Sequence, residues 1–97
     1  MSAFIYVLRA IRPAMVGDPR PEEESRLGEH FEYLSRALDQ GRLVLAGPCL
    51  DGEFGVVIFR ADTQEAARQF MEDDPAVRHG LMTAELHSFR VSLLEKA

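Results

Sequence analysis

The chain has 97 residues, 46% of them hydrophobic, and a formal net charge of −5 from 11 basic and 16 acidic side chains. That length allows one domain, residues 1–97, and the acidic balance argues against nucleic acid or an anionic membrane surface as a partner, since both reward basic patches. No apolar run approaches the roughly 20 residues a membrane span needs, and the single cysteine, Cys49, has no internal partner and suits a reducing cytoplasm.

Residues 3–9 read as a strand, because Phe4, Ile5, Tyr6, Val7 and Leu8 are strong β-formers closed off by Ile11-Arg12-Pro13. The same segment has neither the basic leader nor the cleavage site of a signal peptide. Ile5 and Val7 fall on one face and Phe4, Tyr6 and Leu8 on the other, and a strand apolar on both faces is expected to be covered on both. Residues 13–21 hold three prolines, Gly17 and Asp18 and are expected to cross the surface as a loop.

Glu22-Glu23-Glu24 opens a helix, since carboxylates favour the positive end of its dipole. Leu27, Phe31, Leu34 and Leu38 recur at helical spacing and define its predicted core stripe. Gly28 weakens the run, and Gly41 is a C-terminal stop. Residues 43–46 form a short strand ended by Gly47-Pro48, and Asp51-Gly52 turns the chain. Residues 54–61 form the next strand, with Val56 and Ile58 on one side and Val57 and Phe59 on the other.

Asp62-Thr63-Gln64-Glu65 has the form of a capping box, with Asp62 as the cap and Glu65 reaching back. Ala66, Ala67, Phe70 and Met71 supply the buried stripe of this second helix. Asp74-Pro75 ends it, because proline disfavours helical geometry in the residue before it. A short turn past His79-Gly80 leads into a last strand, residues 82–93. The order β-α-β-β-α-β is that of a ferredoxin-like split βαβ unit, an α+β fold with a four-stranded antiparallel sheet and both helices on one face. Two helices cannot cover two faces. The other face, rich in Val, Ile, Phe and Tyr, is expected to be covered by the sheet of a second copy, giving a homodimer.

The chain has no glycine-rich phosphate loop, no metal-spaced cysteine pair and no nucleophile elbow. What remains is His30 in the first helix and Asp74 at the end of the second. The two helices of this topology run antiparallel, so the end of one lies near the start of the other and the two side chains can meet. A carboxylate beside a histidine fixes its tautomer and raises its basicity, the minimal equipment for proton transfer. The plainer alternatives are a boundary histidine bonded to a carbonyl and an Asp-Pro helix stop, with Asp73 simply solvated. Asp74 also faces the negative end of its helix dipole, where a cationic partner helps.

His87 shares the alternation of Glu85 and Phe89 and serves either an interface or a substrate oxygen. Gly47 and Pro48 are turn residues whose backbone can approach a pocket wall. Tyr6 and Arg9 can reach a bound anion or phenol, or sit in an interface. His79 matches no motif and reads as a solvent residue, and Cys49, with no flanking cation to activate it, as a small buried one. The histidine spacing is not that of a local metal motif.

His30-Phe31-Glu32-Tyr33-Leu34, Gly41-Arg42-Leu43, Ala46-Gly47-Pro48, Phe54-Gly55-Val56, Glu65-Ala66-Ala67, Asp74-Pro75-Ala76-Val77 and Glu85-Leu86-His87, in that order over nearly the whole chain, resemble the YciI-like (YCII-related) family. The resemblance implies a dimeric α+β barrel of ferredoxin-like subunits and an active site around a His–Asp pair, here His30 and Asp74. Some relatives are tied to the breakdown of chlorinated hydroxyaromatics by elimination of HCl, and the wider barrel superfamily includes lactone isomerases and metal-free monooxygenases. The chain departs from the simplest members in a longer, more acidic stretch over residues 12–27, with Glu22, Glu23 and Glu24 expected to border the pocket mouth.

The expectation is therefore a cytoplasmic enzyme that uses no cofactor and no metal. His30 would move a proton on a small cyclic or hydroxylated aromatic substrate while Asp74 orients it, in an elimination or an isomerisation. The rival from another class is a non-catalytic small-ligand-binding dimer or accessory module.

Overall fold

In a computed structural model that describes residues 1–96, β1 (Ser2–Ala10) lies inside a four-stranded antiparallel sheet ordered β2 (Leu43–Pro48), β3 (Gly55–Ala61), β1, β4 (Met82–Phe89). It pairs on one side with β3, from Ser2↔Ala61 to Leu8↔Gly55, and on the other with β4, from Ala3↔Phe89 to Ala10↔Met82. The edge strand β2 adds to β3 with a register shift between Leu43 and Leu45. This is the ferredoxin-like order, with the strands that are apolar on both faces at the centre. Ala97, the last residue of the expected 1–97 domain, lies outside the described residues.

One sheet face presents Phe4, Tyr6, Leu8, Val57 and Phe59 to α1 (Pro21–Asp39) and α2 (Gln64–Asp73). With Leu34, Ala37, Ala67, Phe70 and Met71 they form the core. Phe59 is its hub, its ring centroid 4.6 Å from Phe70, 5.6 Å from Tyr6 and 6.0 Å from Phe4. The opposite face carries Ile5, Val7, Val56 and Ile58, each half-buried, beside Leu45 and Phe89, which are exposed. Among the described residues that apolar face is left only partly covered.

The helical periodicity of α1 holds, but the buried stripe differs from the expected one. Leu34 and Ala37 are buried and Tyr33 is partly so, whereas Phe31 is 72% exposed and Leu38 56% exposed. Residues 30, 33, 34 and 37 make one face of a helix, and 27, 31 and 38 lie about a quarter-turn away. Two stripes of similar hydropathy compete in this segment, and the sheet takes the one holding Tyr33 and Ala37, whose ring and small side chain fit against Phe70 and the strands.

Four boundaries also differ. The segment expected as a plain loop contains a 3-10 turn, Pro13–Val16, that buries Met15. Gly47 and Pro48 do not end β2 but continue it, opposite Val56 and Gly55, and proline is tolerated there because an edge strand need not donate on its open side. β4 stops at Phe89 rather than at residue 93, since the ladder on β1 runs out at Ala3↔Phe89. The cap of α2 is Thr63, whose side chain accepts from Ala66 N–H at 3.0 Å, and not Asp62, because the helix begins one residue later than expected.

Candidate active site

Three elements that are distant in sequence converge at the junction after α2. The backbone of Asp74 is extended (φ −60°, ψ 123°), which ends α2, and the next residue starts α3 (Pro75–Arg78), a single turn read from the sequence only as a connection. Proline suits a first helical position because its fixed φ is already helical and its missing N–H is not needed there. The Asp74 carboxylate then caps α3, its Oδ1 accepting from Ala76 N–H at 3.0 Å. The unfavourable helix end expected for this carboxylate is thus offset by a favourable one.

Asp74 has no solvent exposure and is the one buried charged residue among those described. A carboxylate out of water is tolerated only if donors replace its hydration, and Asp74 has three. Besides Ala76 N–H, His30 Nδ1 lies 2.6 Å from Oδ1, and the Tyr6 hydroxyl donates to Oδ2 at 2.7 Å. An ionised carboxylate only accepts, so the nitrogen of His30 that faces it is the protonated one. The His30 side chain keeps 17% of its surface exposed. Its Nε2 has no hydrogen bond to any of the described residues, yet no buried side-chain nitrogen or oxygen among them lacks a partner, so Nε2 reaches solvent. A neutral imidazole held this way presents a lone pair outward. Once protonated there, it is an imidazolium beside a buried carboxylate.

Aromatic packing extends from Tyr6 to Phe70, whose ring centroid lies 6.2 Å away. Tyr33 stacks on Phe70 at 5.0 Å and donates its hydroxyl to the Phe70 carbonyl at 2.7 Å, and the Arg42 guanidinium lies 4.9 Å over the same Phe70 ring. Burial first, then the charge of Asp74, holds the Tyr6 hydroxyl well above the ordinary tyrosine value, so it stays a donor. Burial, then Asp73 and Asp74, pushes Tyr33 in the same direction.

The structure brings His30 and Asp74 together and leaves most of the other candidates elsewhere. Tyr6 joins them, but as a wholly buried donor to Asp74, so it is out of reach of a bound anion or phenol. His87 faces the open side of the sheet opposite Ile5, its Nε2 3.3 Å from Glu85 Oε2, with the sheet between it and His30. Arg9 follows the same alternation and packs its guanidinium 5.5 Å from the Phe54 ring. Gly47 and Pro48 are exposed at the sheet edge. His79 is not a bare solvent residue, since its Nε2 lies 4.0 Å from Glu29 Oε2, and Cys49 is a half-buried free thiol.

Glu23 is committed to Arg12, whose Nε donates at 2.9 Å while its Nη2 also contacts the carboxylate, and to Arg20 N–H at 2.8 Å. These contacts, Arg12 foremost, hold its carboxyl at about 2. Among the described residues no three His, Cys, Asp or Glu side chains are grouped to hold a metal ion, and no helix is long and apolar enough to cross a membrane. Two surface grooves, of about 550 Å³ beside Phe4, Gln64 and Phe89 and about 410 Å³ between Arg9, Val16 and Glu53, both lie away from His30.

Two parts of the site escaped the sequence reading. The start of α3 was signalled by Asp-Pro-Ala, an N-cap followed by proline at the first helical position. The Tyr6 contact had only a general signal, that a tyrosine on a central strand needs a partner for its hydroxyl.

The sequence profile described as YCII-related domain matches residues 3–89 of the chain. No curated protein matches it by sequence. Among solved structures the chain is similar to 5-chloro-2-hydroxyhydroquinone dehydrochlorinase (TftG) from Burkholderia phenoliruptrix AC1100, in complex with 2,5-dihydroxybenzoquinone. The TM-score is 0.66 at 18% identity, over 90% of this chain and 93% of that one. At that identity the likeness is one of fold, and it agrees with the four-stranded α+β architecture described above.

Proposed function

The chain belongs to the YCII-related family, and on that premise we propose that it is a small cytoplasmic enzyme performing acid–base proton transfer on a compact cyclic or hydroxylated aromatic substrate. The observation that carries this reading is the 2.6 Å contact between His30 Nδ1 and a carboxylate with no solvent exposure, while the imidazole keeps an exposed edge. His30 Nε2 takes a proton from the substrate, and Asp74 holds the Nδ1 proton and stabilises the imidazolium that forms.

In an elimination, the electron pair left behind becomes a new π bond, the C–Cl bond breaks and chloride leaves with its pair, so that HCl is lost with no change in oxidation state to be supplied from outside. In an isomerisation, the same proton returns at another carbon. The fold likeness to a dehydrochlorinase makes elimination the first reaction to test. The working unit is a homodimer in which a second copy covers the open sheet face of Ile5, Val7, Val56 and Ile58.

The test is chloride release and ultraviolet–visible absorbance with a panel of chlorinated and hydroxylated hydroquinones. His30→Ala is expected to lower turnover by about 10²–10⁴-fold with fold and oligomeric state intact, and unchanged turnover in that variant refutes the assignment. One observation favours a second reading, a non-catalytic small-ligand-binding dimer or accessory module: both surface grooves lie away from His30. Its mark is ligand affinity that Asp74→Asn leaves unchanged, with no product formed.

A further inference from the structure

The oxygen of Asp74 that does not meet His30 points into the core, and what it meets there is the Tyr6 hydroxyl, 2.7 Å away and fully buried. That hydroxyl is held by more than its own side chain. The Tyr6 ring is packed edge-on against Phe59 at 5.6 Å and Phe70 at 6.2 Å, on a strand hydrogen-bonded on both sides. The sheet therefore determines where the phenolic oxygen lies, and the carboxylate turns to meet it. Oδ1, bound to Ala76 N–H, is left facing His30.

We propose that Tyr6 is a positioning residue of the His30–Asp74 pair, anchoring the carboxylate from β1 so that a single, partly neutralised oxygen faces the imidazole. This deepens the proton-transfer function proposed above and takes its purpose from it, although the contact can be tested without any substrate. A donor on Oδ2 draws charge away from Oδ1, so Tyr6 also moderates how tightly Asp74 holds the imidazolium. The ionisable groups on the elements around the pair include Tyr33 and Glu29 on α1, Asp73 at the end of α2 and His79 after α3. Tyr33 is bonded to the Phe70 carbonyl and Glu29 lies near His79, and none of the four donates to Oδ2.

The experiment follows the His30 ring in the full-length ¹⁵N-labelled protein by long-range ¹H–¹⁵N correlation between about pH 5 and pH 9, the range in which imidazoles titrate. The parent is compared with Tyr6→Phe, which keeps the packed ring, and with Asp74→Asn. In the parent, the neutral form of the ring is expected to carry its proton on Nδ1. In Tyr6→Phe the pH midpoint of ring protonation is expected to rise by about half a unit or more, because Asp74 regains the charge the phenol had drawn off, and in Asp74→Asn it is expected to fall.

A folded Tyr6→Phe variant whose His30 signals and midpoint coincide with those of the parent overturns the proposal, whatever stability it has lost. Should Tyr6→Phe not fold, the ¹³Cζ resonance of Tyr6 decides the matter. It is expected to move on Asp74→Asn, and an unmoved resonance overturns the proposal equally. A substrate panel without turnover bears only on the proton-transfer function, since neither spectrum requires a substrate.

Discussion

Replacing Asp74 with alanine removes the acceptor of three donors at once, and the donors do not suffer equally. His30 is partly exposed and can turn to water. Tyr6 has no exposure, so its hydroxyl is left unpaired in the core, at roughly 1–3 kcal/mol for a buried donor. Ala76 N–H loses its cap, worth about 1 kcal/mol. The charge-assisted bonds themselves contribute roughly 1.5–3 kcal/mol each, partly offset because the variant no longer buries a carboxylate.

The net expectation is a loss of about 3 kcal/mol, the lower end of what breaking a buried pair costs. At about 4–8 °C per kcal/mol for a domain of this size, that corresponds to a fall in Tm of roughly 12–24 °C. Asp74→Asn keeps the shape and one acceptor for Ala76, so about half the loss is expected, although the charge at His30 is gone just the same. Urea unfolding followed by far-UV circular dichroism, at one fixed protein concentration because assembly shifts apparent stability, measures both. A loss below about 1 kcal/mol for Asp74→Ala, the value of a cap alone, or equal losses for the two variants, refutes the reasoning.

Glu23 makes a pH-dependent contribution. Its carboxyl sits at about 2 instead of the ordinary 4.5, chiefly through Arg12, so it stabilises the folded state above the ordinary value, and that stabilisation is lost as pH falls through the window between the two. Denaturation midpoints of the parent are expected to drop faster across that window than those of Glu23→Gln, and parallel curves count against the Arg12 contact. Thr63→Ala is expected to cost about 1 kcal/mol in thermal melts and Asp62→Ala less than about 0.5 kcal/mol; the reverse order would return the cap to Asp62. The parent is expected to sediment as a dimer and Ile58→Lys, at the middle of the open face opposite Ile5 and Leu45, as a monomer. An unchanged sedimentation coefficient rules out that face as the contact between copies.

The features that could be read from the sequence are those written in contiguous residues. β1 and β3 are apolar on both faces, which marks central strands, and their place in the βαββαβ order follows. The meeting of His30 with Asp74 was within reach because it needs only antiparallel helices and not the details of packing. The buried face of α1 was out of reach, because periodicity shows that a stripe exists but cannot choose between the one with Phe31 and Leu38 and the one with Tyr33 and Ala37. That choice belongs to Phe70 and the sheet beneath. α3 was hidden because proline was read as a stop and not also as a start. The distribution of candidates between the two sheet faces was hidden too. His87 and Arg9 stand away from His30 because of cross-strand register, which no single strand contains.

Tyr6 and Asp74 stand 68 positions apart, and the strand that carries Tyr6 gains its second neighbour only with β4. During synthesis the first strand therefore stays unpaired on one side until residues 82–89 have emerged. Long-range closure of this kind is slow and exposes the nascent chain to aggregation. A fragment cut before Met82 leaves one side of β1 unpaired, so a shortened version of this protein is expected to be a poor scaffold. For the same reason, amide protection along β4 should report a late step of folding and not an early one.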